Sequence, residues 1–139
     1  MDNMFCFQCE QAAGGAVCKG SMGVCGKQAD TSNLQDELTG GLIALAKAAK
    51  KSPPTAETHR VMIEGLFTTV TNVNFDNQSV QAQIEQVLKQ RDALSPACSA
   101  CISGYSDIVP FDMKTLWTAD EDIRSLKSLV LFGLRGMAA

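Results

Sequence analysis

The cysteine residues are the part of this 139-residue sequence whose type and spacing most directly indicate chemistry. Four of the six lie near the start of the chain, as Cys6-x2-Cys9-x8-Cys18-x6-Cys25. The two-residue spacer lets the first two sulfurs face one centre, and the longer loops can bring the other two round its far side. Four thiolates around one centre suit tetrahedral zinc or an iron–sulfur cluster.

The residues between these cysteines favour a cluster over zinc. Glycines allow positive φ and close approach of backbone N–H groups to a buried anion. Five follow Cys9, namely Gly14, Gly15, Gly20, Gly23 and Gly26, and Lys19 and Lys27 add positive charge. A zinc knuckle usually has two C-x-x-C pairs, and only the first pair has that spacing here. Zinc stays open as an alternative, and so does a disulfide framework or a set of redox thiols.

A second pair, Cys98 and Cys101, follows Pro96 in a stretch rich in Ser and Ala. We interpret these two cysteines as small buried hydrophobic residues, because free cysteine commonly plays that part. A redox pair or an additional ligand set is the alternative.

The composition narrows the class of protein. Hydrophobic residues make up 45% of the chain and charged residues 19%, which predicts a folded domain and excludes a disordered one. The net charge of -3 argues against a nucleic-acid partner, whose binding surface would be basic. No apolar stretch is long enough to cross a membrane, and the N-terminus lacks the features of a secretory signal. We therefore expect a cytoplasmic protein with reduced thiols.

From Asp30 onward the apolar periodicity predicts helices, and no hairpin pattern predicts strands. The expected helices run from an N-cap at Asp30, Thr31 or Ser32 to Ser52, from Thr55 to about Val73, from Asn77 or Ser79 to Leu94, and from a capping box at Thr118 to the end of the chain. The stretch from Gly104 to Trp117 reads as a loop.

Apolar stripes at helical spacing identify the residues expected to face the core. They are Leu34, Leu38, Leu42, Leu45 and Ala49; Met62, Leu66, Val70 and Val73; Val80, Ile84, Val87 and Leu88; and Ile123, Leu126, Val130, Leu134 and Met137. The run Leu129-Val130-Leu131-Phe132 predicts burial on more than one side, against protein beyond this bundle.

These patterns predict an all-α fold, a helical bundle of about four helices preceded by a cysteine-rich iron–sulfur-binding loop. We place one boundary near residue 29. Residues 1–29 form the cysteine-rich cluster-binding segment, and residues 30–139 form the helical bundle.

Little else in the sequence indicates catalysis by this chain. His59 is the only histidine, and we interpret it as an exposed surface residue. Five acids read as helix-surface or first-turn residues: Glu57, Glu64, Asp120, Glu121 and Asp122. No nucleotide-binding glycine motif is present.

Two segments closely resemble the opening of the hybrid cluster proteins, also called prismane proteins or hydroxylamine reductases. They are Met4-Phe5-Cys6-Phe7-Gln8-Cys9-Glu10-Gln11 and Gly23-Val24-Cys25-Gly26-Lys27. Residues 34–36, 66–76 and 125–139 are also similar to that family, so the resemblance spans nearly the whole chain.

The resemblance implies that Cys6, Cys9, Cys18 and Cys25 hold the proximal iron–sulfur cluster. The eight-residue spacer resembles that of members with a [4Fe–4S] cluster, with [2Fe–2S] as the alternative. In the family a hybrid cluster in later domains, which this chain lacks, binds the substrate. The chain then resembles the N-terminal part of a larger enzyme, to which it passes electrons from a donor reductase or ferredoxin. Cys98 and Cys101 match no ligand position of the family.

A function of a different class is also compatible with the residues. In that alternative, zinc stabilises a helical module that serves interaction or assembly and has no redox activity. A brown protein that dithionite bleaches would distinguish the cluster from zinc.

Overall fold

A computed structural model of the chain describes residues 3–6, 8–9, 17–94 and 109–139. These residues form two short strands and five helices: β1 (Met4–Cys6), β2 (Cys18–Gly20), α1 (Ala29–Lys51), α2 (Ala56–Thr68), α3 (Asn77–Leu94), α4 (Lys114–Trp117) and α5 (Glu121–Ala138). Helices dominate, which confirms the predicted all-α bundle. None of the helices in this part of the chain has the length and hydropathy needed to cross a bilayer.

The core forms where α1 packs against α2 and α3. Its buried residues are Leu38, Leu42, Leu45, Val61, Val80, Ile84 and Val87. Each such side chain stabilises the fold by roughly 1.5–3 kcal/mol relative to exposure. The stripes predicted for the first and third helices are confirmed at these positions, except that Ala44 and Ala48 are buried where Ala49 was expected.

The start of α1 differs from the prediction. Its N-cap is Gln28, which makes no side-chain capping bond. The expected caps are used elsewhere: Thr31 donates from Oγ1 to Asn77 Oδ1 at 2.6 Å, and Asn77 donates from Nδ2 to Asp30 Oδ2 at 2.9 Å. These side chains tie the start of α1 to the start of α3, a tertiary role that local patterns do not reveal.

The second helix is shorter than predicted, because α2 ends at Thr68 and not near Val73. The hydroxyl of Thr69 donates to the Leu66 carbonyl at 2.9 Å, and Asn72 adopts a positive φ of 61°. The buried residues of α2 include Val61 and Gly65, each one position before the predicted Met62 and Leu66, and the predicted Val73 is exposed. Thr55 is the N-cap, as expected, in a reciprocal capping box with Thr58.

The segment after α3 is more regular than expected in its described part. The predicted loop ends in the one-turn helix α4, and Phe111 donates its backbone N–H to the Gly40 carbonyl at 3.1 Å. Helix α5 is capped by Asp120, whose side chain accepts from the Asp122 N–H, and not by the predicted box at Thr118.

The predicted inward stripe of α5 is wrong for this chain. Ile123, Leu126, Val130, Leu134 and Met137 are all exposed. Only Ser128 and Arg135 of this helix are buried. Val130, Leu131 and Leu134 line an open cavity against α1 and α4, and the rest of the apolar stripe faces away from the bundle.

Candidate metal centre

The first two strands bring two of the four candidate ligands together. β1 and β2 pair antiparallel, with Cys6 opposite Cys18 and Phe5 opposite Lys19. Residues directly opposite on such strands have Cβ atoms roughly 4.5–5.5 Å apart. Both thiols are free and buried in a small cluster that also contains Met4 and Ala29, so the ribbon is anchored on α1. The sequence missed these strands because they are short and no two-residue turn joins them.

The loop after β2 carries another candidate ligand, Cys25. Gly20 and Gly26 have positive φ values of 102° and 85°, the conformation expected of glycines in this segment. The Gly23 N–H donates to the Lys27 carbonyl at 2.8 Å and closes the loop. A Cβ atom on Gly23 would lie 3.7 Å from Cys18 Sγ, so the loop backbone runs beside that sulfur. Cys25 itself is exposed.

The remaining candidate ligand, Cys9, is half-buried beside a residue that is held by hydrogen bonds. Its neighbour Gln8 accepts at its backbone carbonyl from Thr71 Oγ1 at 3.1 Å. The Gln8 side-chain oxygen accepts from Lys27 Nζ at 3.2 Å. The cysteine segment is thereby bonded both to the turn after α2 and to the glycine loop.

All four predicted ligands are free thiols in the described part of the chain, but they are not drawn together as a complete set. Within residues 3–6, 8–9, 17–94 and 109–139, no three His, Cys, Asp or Glu side chains lie close enough to hold one metal ion. The structure pairs Cys6 with Cys18 and holds Cys9 and Cys25 in the adjoining segments. The donor set suits a thiolate-bound group, and convergence of the four sulfurs stays a prediction.

Burial controls the protonation of the first ligand. It raises the pKa of the Cys6 thiol, while the Gln8 backbone and the Lys27 charge act in the opposite direction. A metal cation that binds here must therefore displace a proton from this sulfur.

A buried polar cluster beside the ribbon was only partly visible in the sequence. Lys27 was expected to be near the cysteines, and it donates to Gln35 Oε1 at 2.8 Å. The role of Gln35 was missed, although a glutamine three residues before Leu38 interrupts the apolar stripe of α1. Both side chains are almost fully buried.

Two further charged groups lie behind the ribbon and were also missed. Burial raises the pKa of Asp36 to about 7, even though the Arg135 charge opposes this shift. Burial lowers the pKa of Arg135 to about 10. The guanidinium donates from Nε to Thr69 Oγ1 at 3.0 Å and from Nη2 to Thr39 Oγ1 at 3.2 Å, which joins α5 to α1 and to the end of α2.

The remaining predicted residues lie away from this cluster. His59 is exposed, as expected. Glu57 and Glu64 are surface acids that pair with Arg60 on α2, and the acids at the start of α5 are exposed as well. Cys98 and Cys101, like Gly14 and Gly15, lie outside the described residues.

Comparison with known proteins relates almost the whole chain to the family that the sequence resembles. A profile of the Prismane/CO dehydrogenase family matches residues 4–139. A hydroxylamine reductase of Bacteroides fragilis is 40% identical over 99% of this chain and 28% of its own length. A hydroxylamine reductase of Desulfitobacterium hafniense is 36% identical over 99% of this chain and 29% of its own length.

The hydroxylamine reductase of Solidesulfovibrio magneticus is 39% identical over 98% of this chain and 29% of its own length. The chain thus spans less than a third of these curated relatives. No solved structure is similar enough to count as a match.

Proposed function

The chain belongs to the Prismane/CO dehydrogenase family, and we propose that it is the electron-transfer module of a hydroxylamine reductase-like hybrid cluster protein. In this proposal Cys6, Cys9, Cys18 and Cys25 hold the proximal [4Fe–4S] cluster. The observation that carries it is the four-cysteine segment, whose first and third members lie opposite each other on a ribbon anchored to α1.

When bound, such a cluster accepts one electron and passes it on. The residues of this chain supply the surroundings. Met4, Cys6 and Cys18 are buried together, which limits access of water to the sulfurs of these two cysteines. The backbone of the glycine loop runs beside Cys18, where a Cβ atom on Gly23 would lie 3.7 Å from the sulfur.

Two surfaces have separate parts in the proposal. The exposed apolar face of α5 packs against the remainder of the larger protein, where the substrate is reduced. The exposed residues Met22 and Val24, in the same loop as Cys25, form the surface on which a reductase or ferredoxin would dock to deliver electrons. Free thiols suit the reducing conditions of the cytoplasm, where we place the protein.

Metal analysis of the 139-residue chain, purified without oxygen, tests the proposal. We expect a brown protein with about four iron atoms per chain, a visible band that dithionite bleaches, and an electron paramagnetic resonance signal after reduction. A colourless protein with bound zinc would contradict the redox role and would support the zinc-stabilised module.

Substitution of one ligand sharpens the test. Cys9→Ser should lose most of the iron, because it removes one of four thiolates, while α1 to α3 stay folded by circular dichroism. The matched control is the double change Cys98→Ser with Cys101→Ser, which should keep the iron. Unchanged iron in the Cys9 variant would refute the ligand assignment, and loss of iron in the control would make that pair part of the site.

A further inference from the structure

Lys27 is the most deeply buried charged side chain in the described part of the protein. It is only 1% exposed, and its acceptors are two neutral amides, Gln35 Oε1 at 2.8 Å and Gln8 Oε1 at 3.2 Å. Its Nζ also lies 5.5 Å from the centroid of the Phe75 ring. All three partners are uncharged, so they solvate the ammonium without neutralising it.

The position of this ammonium is fixed by residues around it. Gln35 donates from Nε2 to the Asn74 carbonyl at 2.7 Å, which directs its oxygen toward Lys27. Gln8 is held at its backbone carbonyl by Thr71 Oγ1 at 3.1 Å. The two amides therefore hold the ammonium of Lys27 in a single position.

Both ends of Lys27 also contact the cysteine segment. Its side chain binds Gln8, which lies between Cys6 and Cys9. Its carbonyl accepts from the Gly23 N–H at 2.8 Å, and Gly23 runs beside Cys18 Sγ. The charged end of Lys27 is thus bonded to the residue between Cys6 and Cys9, and its charge acts on the Cys6 sulfur. Its backbone is bonded to the loop that runs beside Cys18.

A buried ammonium without a counter-charge is costly, because the ion loses its hydration on burial and gains no opposite charge in return. Among the residues that the structure describes, no carboxylate forms an ion pair with Lys27, although Asp36 is near enough for the two charges to interact. A negatively charged group held by the neighbouring thiolates would supply a further counter-charge.

We propose that Lys27 is a positioning residue whose fixed positive charge raises the reduction potential of the group bound by Cys6, Cys9, Cys18 and Cys25. The inference rests on the proposed function of that segment. One electron leaves a low-potential donor, such as a reduced ferredoxin, and enters the bound group, which becomes more negative by one charge. No bond forms or breaks. Water is excluded from the buried thiols of Cys6 and Cys18, and beside them a cation stabilises the reduced state of the bound group more than the oxidised one.

A redox titration followed by electron paramagnetic resonance tests this inference. Lys27→Met should shift the redox equilibrium about tenfold toward the oxidised form, which for a one-electron couple is a fall of about 59 mV in midpoint potential. Lys27→Arg keeps the charge and should restore most of the potential, a recovery that a purely structural role does not predict.

The matched control is Lys19→Met, which removes an exposed cation from β2. Because water and salt screen an exposed charge, its effect on the potential should be much smaller. If Lys27→Met holds no iron, Gln35→Glu gives a second measurement, since a carboxylate on the ammonium neutralises it and should also lower the potential.

The two proposals fail in different ways. If iron-loaded Lys27→Met has the same potential as the wild type, the inference about Lys27 is wrong and the cluster assignment stands. Where Lys27→Met holds no iron, an unchanged potential in Gln35→Glu has the same meaning. A wild-type protein without iron removes both.

Discussion

At the scale of single residues, Asp36 shows how burial in the fold changes the pKa of a side chain. Its carboxyl lies on α1, behind the ribbon, and burial raises its pKa to about 7. Arg135, Lys27 and Lys114 each oppose the shift without cancelling it. The unfolded chain, in contrast, releases this proton near pH 4, the ordinary value for aspartate.

The stability of the fold should therefore fall as the pH rises through this interval. Between about pH 4 and pH 7 the folded state holds a proton that the unfolded state has released, so the free energy of unfolding decreases with pH. Below this interval both states are protonated, and above it both are ionised with the full penalty present.

Asp36→Asn should remove this pH dependence, since asparagine resembles the protonated acid at every pH. We expect the variant to be more stable than the wild type at pH 8 by on the order of 1–3 kcal/mol and nearly equal to it near pH 4. Urea unfolding at several pH values measures the difference. Glu37→Gln, which changes the exposed acid next in the chain, is the control and should keep the wild-type slope. Parallel curves for wild type and Asp36→Asn would show that the carboxyl does not titrate as described.

At the scale of elements, glycines set how closely segments approach α1. A Cβ atom on Gly40 would overlap the Phe111 carbonyl oxygen, which belongs to the segment leading into α4. A Cβ atom on Gly65 would lie 2.8 Å from Leu42 Cδ2, where α2 crosses α1. Both contacts require a residue that has no side chain, because neither the Phe111 backbone nor Leu42 can move freely within the packed bundle.

Gly40→Ala should destabilise the protein by about 1–3 kcal/mol, since the backbone at Phe111 must move away from α1. Thermal or urea unfolding measures the loss, and hydrogen exchange at the Phe111 amide reports whether its bond to Gly40 opens. The matched control is Gly133→Ala on α5, where a Cβ atom meets nothing within 4 Å. Removing a glycine from an open helix position should stabilise by about 0.5–1 kcal/mol. Equal effects of the two changes would contradict the close approach at Gly40.

The sequence predicted the helices themselves better than the residues at which they begin and end or the segments that they contact. The stripes around Leu38 and Ile84 are long and periodic, so the helices and their buried faces could be identified. Local patterns could not show that Thr31 bonds to Asn77 across the bundle, so the N-cap of α1 was wrong. The strands were missed because their pairing joins segments separated by many residues.

The same reasoning explains what was found of the candidate site. Cysteine spacing identifies donors, because few residue types hold iron or zinc through sulfur. The surroundings depend on tertiary contacts: Gln35, Asp36 and Arg135 look like ordinary helix residues until α1 packs against the ribbon and α5. The division of the chain at residue 29 stays a prediction, although α1 begins there.

At the scale of the whole molecule, α5 carries a largely exposed apolar face. Leu126, Leu129 and Val130 are each more than half exposed, at 61%, 68% and 63%. The helix is held to the bundle partly by Arg135, whose guanidinium bonds to Thr39 and Thr69. Exposed apolar surface of this kind usually marks an interaction site.

A substitution on this face should separate folding from association. Leu129→Glu should change the free energy of unfolding of this chain by less than about 0.5 kcal/mol, because the side chain is exposed. Any self-association of the isolated chain through this face, which light scattering measures, should also decrease. Leu42→Ala, in the buried core, is the contrasting control and should cost about 2–5 kcal/mol. A large loss of stability in the Leu129 variant would show that this face packs within the bundle.

X-ray absorption at the iron edge tests most directly whether the four sulfurs of the N-terminal segment meet at one centre. On the anaerobically purified chain we predict a first shell made only of sulfur, with further iron atoms beyond it, and loss of this pattern in Cys9→Ser. Iron bound through oxygen or nitrogen, or the same spectrum in Cys9→Ser, would contradict the account.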